Sequence, residues 1–122
     1  MANRILMNLR FDVENGDYKP GPIALTNIQV TQNALGVDGR IVTVGTSEQD
    51  ITFSVTTHGY LLLRNLDDAN YIKYGPKSAG VMVEFGRLGA REVAILRVAP
   101  GITFRAVADT SACDLWLRME ND

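Results

Sequence analysis

The sequence predicts an all-β protein, an antiparallel β-sandwich in the jelly-roll style, from three observations. Apolar and polar residues alternate with a period of two along most of the chain, the pattern of strands with one face in a core and one in water. Turn-forming dipeptides recur at short intervals between these stretches. No segment carries a capped helical stripe, and the best helix candidate, QNALG at 32–36, is at most one turn. Nine or ten short strands (roughly) in a chain of 122 residues point to two sheets packed face to face. A closed barrel has the same signature and stays open.

In chain order, Ile5, Met7, Leu9 and Phe11 share one face of a first strand, opposite Arg4, Asn8 and Arg10. Residues 12–22 are poor in apolar side chains and are expected to form an exposed loop or arm, within a single domain spanning 1–122. Strands follow at about 25–31 and 40–45. Ile51, Phe53 and Val55 then alternate with Thr52, Ser54 and Thr56. Further strands are expected at 60–66, 71–74, 81–85 and 92–98. Ile102, Phe104, Ala106 and Ala108 share a face, as do Cys113, Leu115, Leu117 and Met119. Asn15-Gly16, Gly21-Pro22, Asp38-Gly39, His58-Gly59, Gly75-Pro76 and Pro100-Gly101 are read as the punctuation, with His58-Gly59 as a short hairpin turn.

Composition narrows the chemistry. Twelve basic against fourteen acidic residues leave a net charge of −2, and the basic residues form no block, so no nucleic-acid partner is expected. Cys113 is the only cysteine, which rules out an intrachain disulfide and fits a reducing compartment. The N-terminal MANRILMNLRF lacks the apolar stretch of a signal peptide, and no window approaches the ~18 apolar residues of a membrane span. No membrane partner is expected.

Catalytic signatures are missing in the same way. With one histidine and one cysteine the chain cannot supply a zinc site alone. It has no G-x-S-x-G elbow and no phosphate loop. His58 reads as an exposed turn residue and Cys113 as a core thiol. Glu84 and Glu92 could form a carboxylate pair, but a β protein with this many acids offers such pairs by chance. The cluster Asn65, Asp67, Asp68 and Asn70 departs from the EF-hand pattern at the third ligand and at the glycine. With Gly75, it is read as the turn that ends strand 60–66 and launches 71–74, although calcium in an irregular loop stays open. No cofactor or metal is expected.

Nine of the twelve basic residues are arginine, several inside strand patterns. Arg105, Trp116 and Arg118 fall on the polar faces of their strands, so they are expected to form a contact patch, with Tyr18 and Lys19 from the arm. The alternative is that the arginine stems simply cover the sheet.

The stretch LLLRNLDDANYIKYG (61–75) resembles a motif of small β-rich virion proteins of tailed bacteriophages, which carry N-L-D-x-x-N-Y-hydrophobic and end in Gly. Residues 84–122, EFGRLGAREVAILRVAPGITFRAVADTSACDLWLRMEND, resemble them too. The shared pattern is a Leu before a Glu-led strand, a Pro-containing turn, an alanine-rich strand and a closing strand that ends in acids. Where such proteins often have Pro-Gly-Glu, this chain has Ala90-Arg91-Glu92, which leaves that turn type open. Residues 1–59 carry no such motif. The resemblance implies a structural protein and not an enzyme: a capsid cement (decoration) protein on the exterior of the virion. It would be made in the host cytoplasm, form a homotrimer and bind the major capsid protein. Other virion components (head–tail joining, tail or baseplate) share the style. A carbohydrate-binding sandwich is the competing class, though one Trp and 7% aromatic residues make a poor sugar platform.

Overall fold

The computed structural model describes residues 3–122. The chain divides into two compact units, Met1–Asn33 and Ala34–Asp122. The sandwich belongs to the second, and the first is a β-ribbon of its own.

The ribbon pairs β1 (Arg4–Phe11) with β2 (Ile23–Thr31) in antiparallel register. Ile5 faces Val30, Met7 faces Ile28, Leu9 faces Leu25 and Phe11 faces Ile23. A bulge lies between Met7 and Leu9. Asn27 takes a positive φ of 56° there, and its N–H donates to Asn8 Oδ1 at 2.9 Å. The bulge lets Leu25 and Ile28, three positions apart, stay on one face. At the far end Asn15 and Tyr18 exchange two backbone hydrogen bonds of 3.0 Å, so the expected arm at 12–22 is the tip of this ribbon.

The second unit is built from nine strands: β3 (Val37–Val44), β4 (Gln49–Ile51), β5 (His58–Asn65), β6 (Ile72–Ser78), β7 (Val81–Met82), β8 (Gly86–Leu88), β9 (Val93–Arg97), β10 (Phe104–Ala108) and β11 (Cys113–Asn121). All pairings are antiparallel. One sheet has the order β3-β11-β5-β9; the other runs β4-β10-β6-β7, with β8 also against β6. Their inner faces share one core. Val44, Leu61, Leu63, Leu115, Leu117 and Met119 come from the first sheet, and Ile51, Ile72, Tyr74, Phe104, Ala106 and Ala108 from the second. The all-β sandwich expected from the alternation is thus the fold of this unit.

Several local expectations change. Asp38-Gly39, His58-Gly59 and Gly75-Pro76 lie inside β3, β5 and β6, and not in turns. Close packing explains two of these glycines: a Cβ on Gly59 would sit 2.6 Å from the Glu120 carbonyl oxygen, and one on Gly75 only 1.8 Å from that of Val83. Both positions need glycine for backbone approach. Gly75 therefore leaves the turn to which the sequence assigned it. The strand expected at 81–85 is split, since Val83 and Phe85 donate to the Pro76 and Tyr74 carbonyls while only 81–82 and 86–88 are regular. The alternation at 51–56 is real but the ladder stops at Ile51. Beyond it, Ser54 N–H donates to Asp38 Oδ2 and Arg40 donates to the Thr52 carbonyl, so side chains replace a neighbouring strand. Residues 32–36 contain no helical turn.

Candidate functional site

The 65–70 cluster is built by hydrogen bonds to its own backbone. Asn65 ends β5 with its side chain fully buried. Its Nδ2 faces the carbonyls of Asn70 (2.8 Å), Gly89 (3.0 Å) and Leu88 (3.1 Å), and its Oδ1 accepts from the Asp67 N–H at 3.0 Å. Asp67 Oδ2 accepts from the N–H groups of Asn70 (2.6 Å) and Ala69 (2.9 Å). Those two bonds hold the Asp67 carboxyl below its ordinary pKa, because they are made to the charged form. Asn70 donates to Ser111 Oγ, and Asp68 pairs with Arg91. These bonds turn the chain and tie it to the 88–92 and 111 segments. Among the described residues no group of three His, Cys, Asp or Glu side chains is arranged to hold a metal.

The five expected contact residues are not one patch. Phe104, Ala106 and Ala108 point into the core, so Arg105 faces out from the β4-β10-β6 sheet. Leu115, Leu117 and Met119 point into the same core, so Trp116 and Arg118 face out from the other sheet. Two sheets that share a core present their outer faces in opposite directions. Arg105 is moreover occupied. Its side chain is 15% exposed, with Nε on Asp50 Oδ1 at 2.6 Å and Nη1 on Glu48 Oε2 and the Gly80 carbonyl at 3.0 and 3.1 Å. The hydrogen bond to Asp50 raises the Arg105 pKa and lowers that of Asp50. Arg118 pairs with Glu120, and Lys19 with Glu14 at 3.2 Å. Tyr18 is exposed at the ribbon tip.

Trp116 does have neighbours suited to a contact surface. The register of the β3-β11-β5-β9 sheet sets Ile41, Trp116, Arg64 and Val93 in one row of its outer face, and Gly39, Arg118, Leu62 and Ile95 in the next. Ile41 is 59% and Val93 64% exposed, and Val37 and Ile95 are exposed as well. Arg97 lies over the Tyr60 ring at 5.3 Å and pairs with Asp122. Large apolar side chains in register, with arginines set among them, are the composition of an interface. Composition alone singled out Trp116 and Arg118 and missed the rest. The signal was there in Tyr60-Leu61-Leu62-Leu63 and Val93-Ala94-Ile95-Leu96, runs that break the alternation and so put apolar residues on both faces.

A cleft of about 170 Å³ is lined by Tyr74, Phe85, Leu96, Val98, Ile102 and Phe104, all apolar or aromatic. It has room for one bulky side chain. His58 starts β5 half-buried, its ring edge-on to Phe53 at 5.7 Å and its Nδ1 buried without a partner among the described residues, so it is not the exposed turn residue expected. Cys113 is buried, its thiol donates to the Ser111 carbonyl, and burial pushes its pKa up, which is the reverse of an activated nucleophile. The fold and site together define an all-β sandwich with an apolar, arginine-studded sheet face. Comparison with protein-family models, with curated proteins and with solved structures finds no match for this chain.

Proposed function

We propose that the protein is a capsid cement protein of a tailed bacteriophage. In this reading it binds the outside of the assembled head and bridges neighbouring copies of the major capsid protein. The observation that carries the reading is the outer face of the β3-β11-β5-β9 sheet, where Ile41, Val93 and Ile95 stand exposed around Trp116, Arg64 and Arg118. Such a face supports adhesion, because apolar area contributes affinity and arginine forks add directed hydrogen bonds at its edge. The likeness of residues 61–75 and 84–122 to small virion proteins supports the choice of partner.

The mechanism is linkage. A protein that binds the closed shell but not its separated subunits stabilises the shell by about 2.7 kcal/mol per site when free ligand stands at 100 times Kd. A homotrimer multiplies weak contacts into avidity, so no single contact has to be strong.

The test is to add purified protein to assembled heads that lack it, then measure co-sedimentation and the temperature at which the heads open. Binding with a rise in that temperature is expected. Replacing Ile41 and Val93 together by Asp should abolish both effects while the near-ultraviolet spectrum of Trp116 still reports a folded sandwich. Saturating protein that neither sediments with heads nor shifts their opening temperature would sink the reading, and a clear hit on a glycan array would replace it with the carbohydrate-binding alternative.

A further inference from the structure

The flank of the sandwich at β9 is open in two ways. β9 is the last strand of its sheet and, among the described residues, pairs with β5 alone. The Asn65 N–H donates to the Glu92 carbonyl at 3.0 Å, and the Val98 N–H to the Gly59 carbonyl at 2.9 Å. Backbone groups of a strand point to alternate sides, so the even positions from 92 to 98 bond to β5. The N–H and C=O groups of Val93, Ile95 and Arg97 therefore point outward along the edge, and all three residues are exposed. Edges are ordinarily blunted by charge, proline or a bulge, and Val93-Ala94-Ile95-Leu96 has none of these. The second opening lies under the same strand. The cleft of about 170 Å³ is walled by Leu96 and Val98 from the β9 side and by Tyr74, Phe85, Phe104 and Ile102 from the other. Phe85 is 73% exposed, so the cleft reaches the surface.

We infer that β9 is a docking edge for an extended peptide segment of another protein, which adds to the four-stranded sheet and seats one bulky apolar side chain in the cleft. The edge offers donors and acceptors in alternation, a pattern of partial charge whose complement at the same spacing is another extended backbone. An added strand lies about 4.8 Å beyond β9, and every second side chain on it faces inward beside Ala94 and Leu96. Such a side chain enters the cleft directly. An apolar cavity of about 150 Å³ takes a benzene ring, so a phenylalanine or leucine fits. A second copy of this chain cannot supply both halves of the match. Joined edge to edge, its β9 would satisfy the backbone, but its own Ala94 and Leu96 pack on its own core and leave the cleft empty. The occupant is thus a segment that is free in its own protein. The edge bonds through backbone and inward side chains, so this docking does not depend on the outer face binding a head.

The probe is the capped nonapeptide KTVTFTVTK, in which apolar side chains alternate around a central phenylalanine, with KTVTDTVTK as its control. Amide hydrogen exchange of the full chain is followed residue by residue. In the protein alone Ala94 and Leu96, bonded to β5, should exchange slowly, and Val93, Ile95 and Arg97 fast. Saturating KTVTFTVTK should slow those three amides by about tenfold or more, and the control should not. Two variants separate the halves of the match. Ile95→Pro removes an outward N–H and no bond to β5, a change that edge strands tolerate. Ala99→Phe puts a ring into the cleft, whose wall includes Ala99. Each should weaken peptide binding by about tenfold with the spectrum of Trp116 unchanged. Absence of protection at millimolar peptide overturns the proposal, as do equal protection by the control peptide and an Ala99→Phe variant that binds like the native protein. Slow exchange of Val93, Ile95 and Arg97 in the protein alone also overturns it, because the edge is then already taken. Head binding is read separately by sedimentation, so each of these failures leaves the capsid reading standing.

Discussion

Arg91 holds a conformation that glycine would hold more easily. Glu92 N–H donates to the Gly89 carbonyl at 3.2 Å, and Arg91 between them has a φ of 64°, so residues 89–92 form a turn with a left-handed third position. The turn left open at Ala90-Arg91-Glu92 thus places an arginine at a left-handed position that glycine takes most easily. Its side chain bonds to Asp68 at 2.7 Å, an exposed pair worth at most about 1 kcal/mol. The left-handed backbone costs a non-glycine residue about 1–2 kcal/mol. Arg91→Gly is therefore expected to leave stability unchanged or raise it by up to ~1 kcal/mol, read from the urea midpoint. Asn65 is the opposite case. Its buried amide serves three carbonyls and one N–H, so Asn65→Ala should cost about 2–4 kcal/mol through groups left unsatisfied. An unchanged urea midpoint would refute that assignment. From the sequence Asn65 reads as one more turn residue, because nothing local distinguishes an Asn that bonds within its turn from one that reaches 24 residues away to Gly89.

At the scale of the strand, β10 and β11 were legible because each buries one face against a continuous core, and a period of two is the direct print of that burial. The short edge strands were not. β4 stops at Ile51 because Asp38 and Arg40 take over its backbone bonds, and β7 and β8 are separated where the Val83 carbonyl crosses Gly75. Pro and Gly mislead here: Gly75-Pro76 reads as a turn, yet both residues sit in β6 because the close crossing needs a missing side chain more than the chain needs a bend. Gly75→Ala should accordingly be severe. Its methyl would meet backbone, which cannot rotate away, so a loss of more than about 3 kcal/mol is expected in thermal unfolding. A shift of only a degree or two would contradict the crossing.

For the molecule as a whole, the candidate face was only half legible. Trp116 and Arg118 stand out by residue type, but Ile41, Val93 and Ile95 become a surface only through the register of four strands distant in sequence. Acid stability is also a collective property. Asp67, held by the Asn70 and Ala69 amides, Asp109, held by Tyr71 and Thr110, and Asp50, held by Arg105, all have pKa values below the ordinary one. Each is ionised more readily folded than unfolded. Its contribution is therefore complete above the unfolded value of about 3.9 and is lost as pH falls through the lower folded values. Stability measured by urea titration should be flat, as far as these groups are concerned, from pH 7 to about 5. It should then decline toward pH 2, with a shallower decline in Asp67→Asn, which keeps an acceptor oxygen without the charge.

The central place of β11 also fixes an order of events. Among the described residues it is the only strand that pairs with both β3 and β5, and they do not pair with each other. A growing chain that has passed Val44 holds one strand of that sheet with nothing to join it, and β5 finds only β9 until residues 113–121 exist. The exposed edges of β3 and β5 must wait, unpaired, through the synthesis of about half the protein. That interval is when the nascent chain is most open to pairing with the wrong strand.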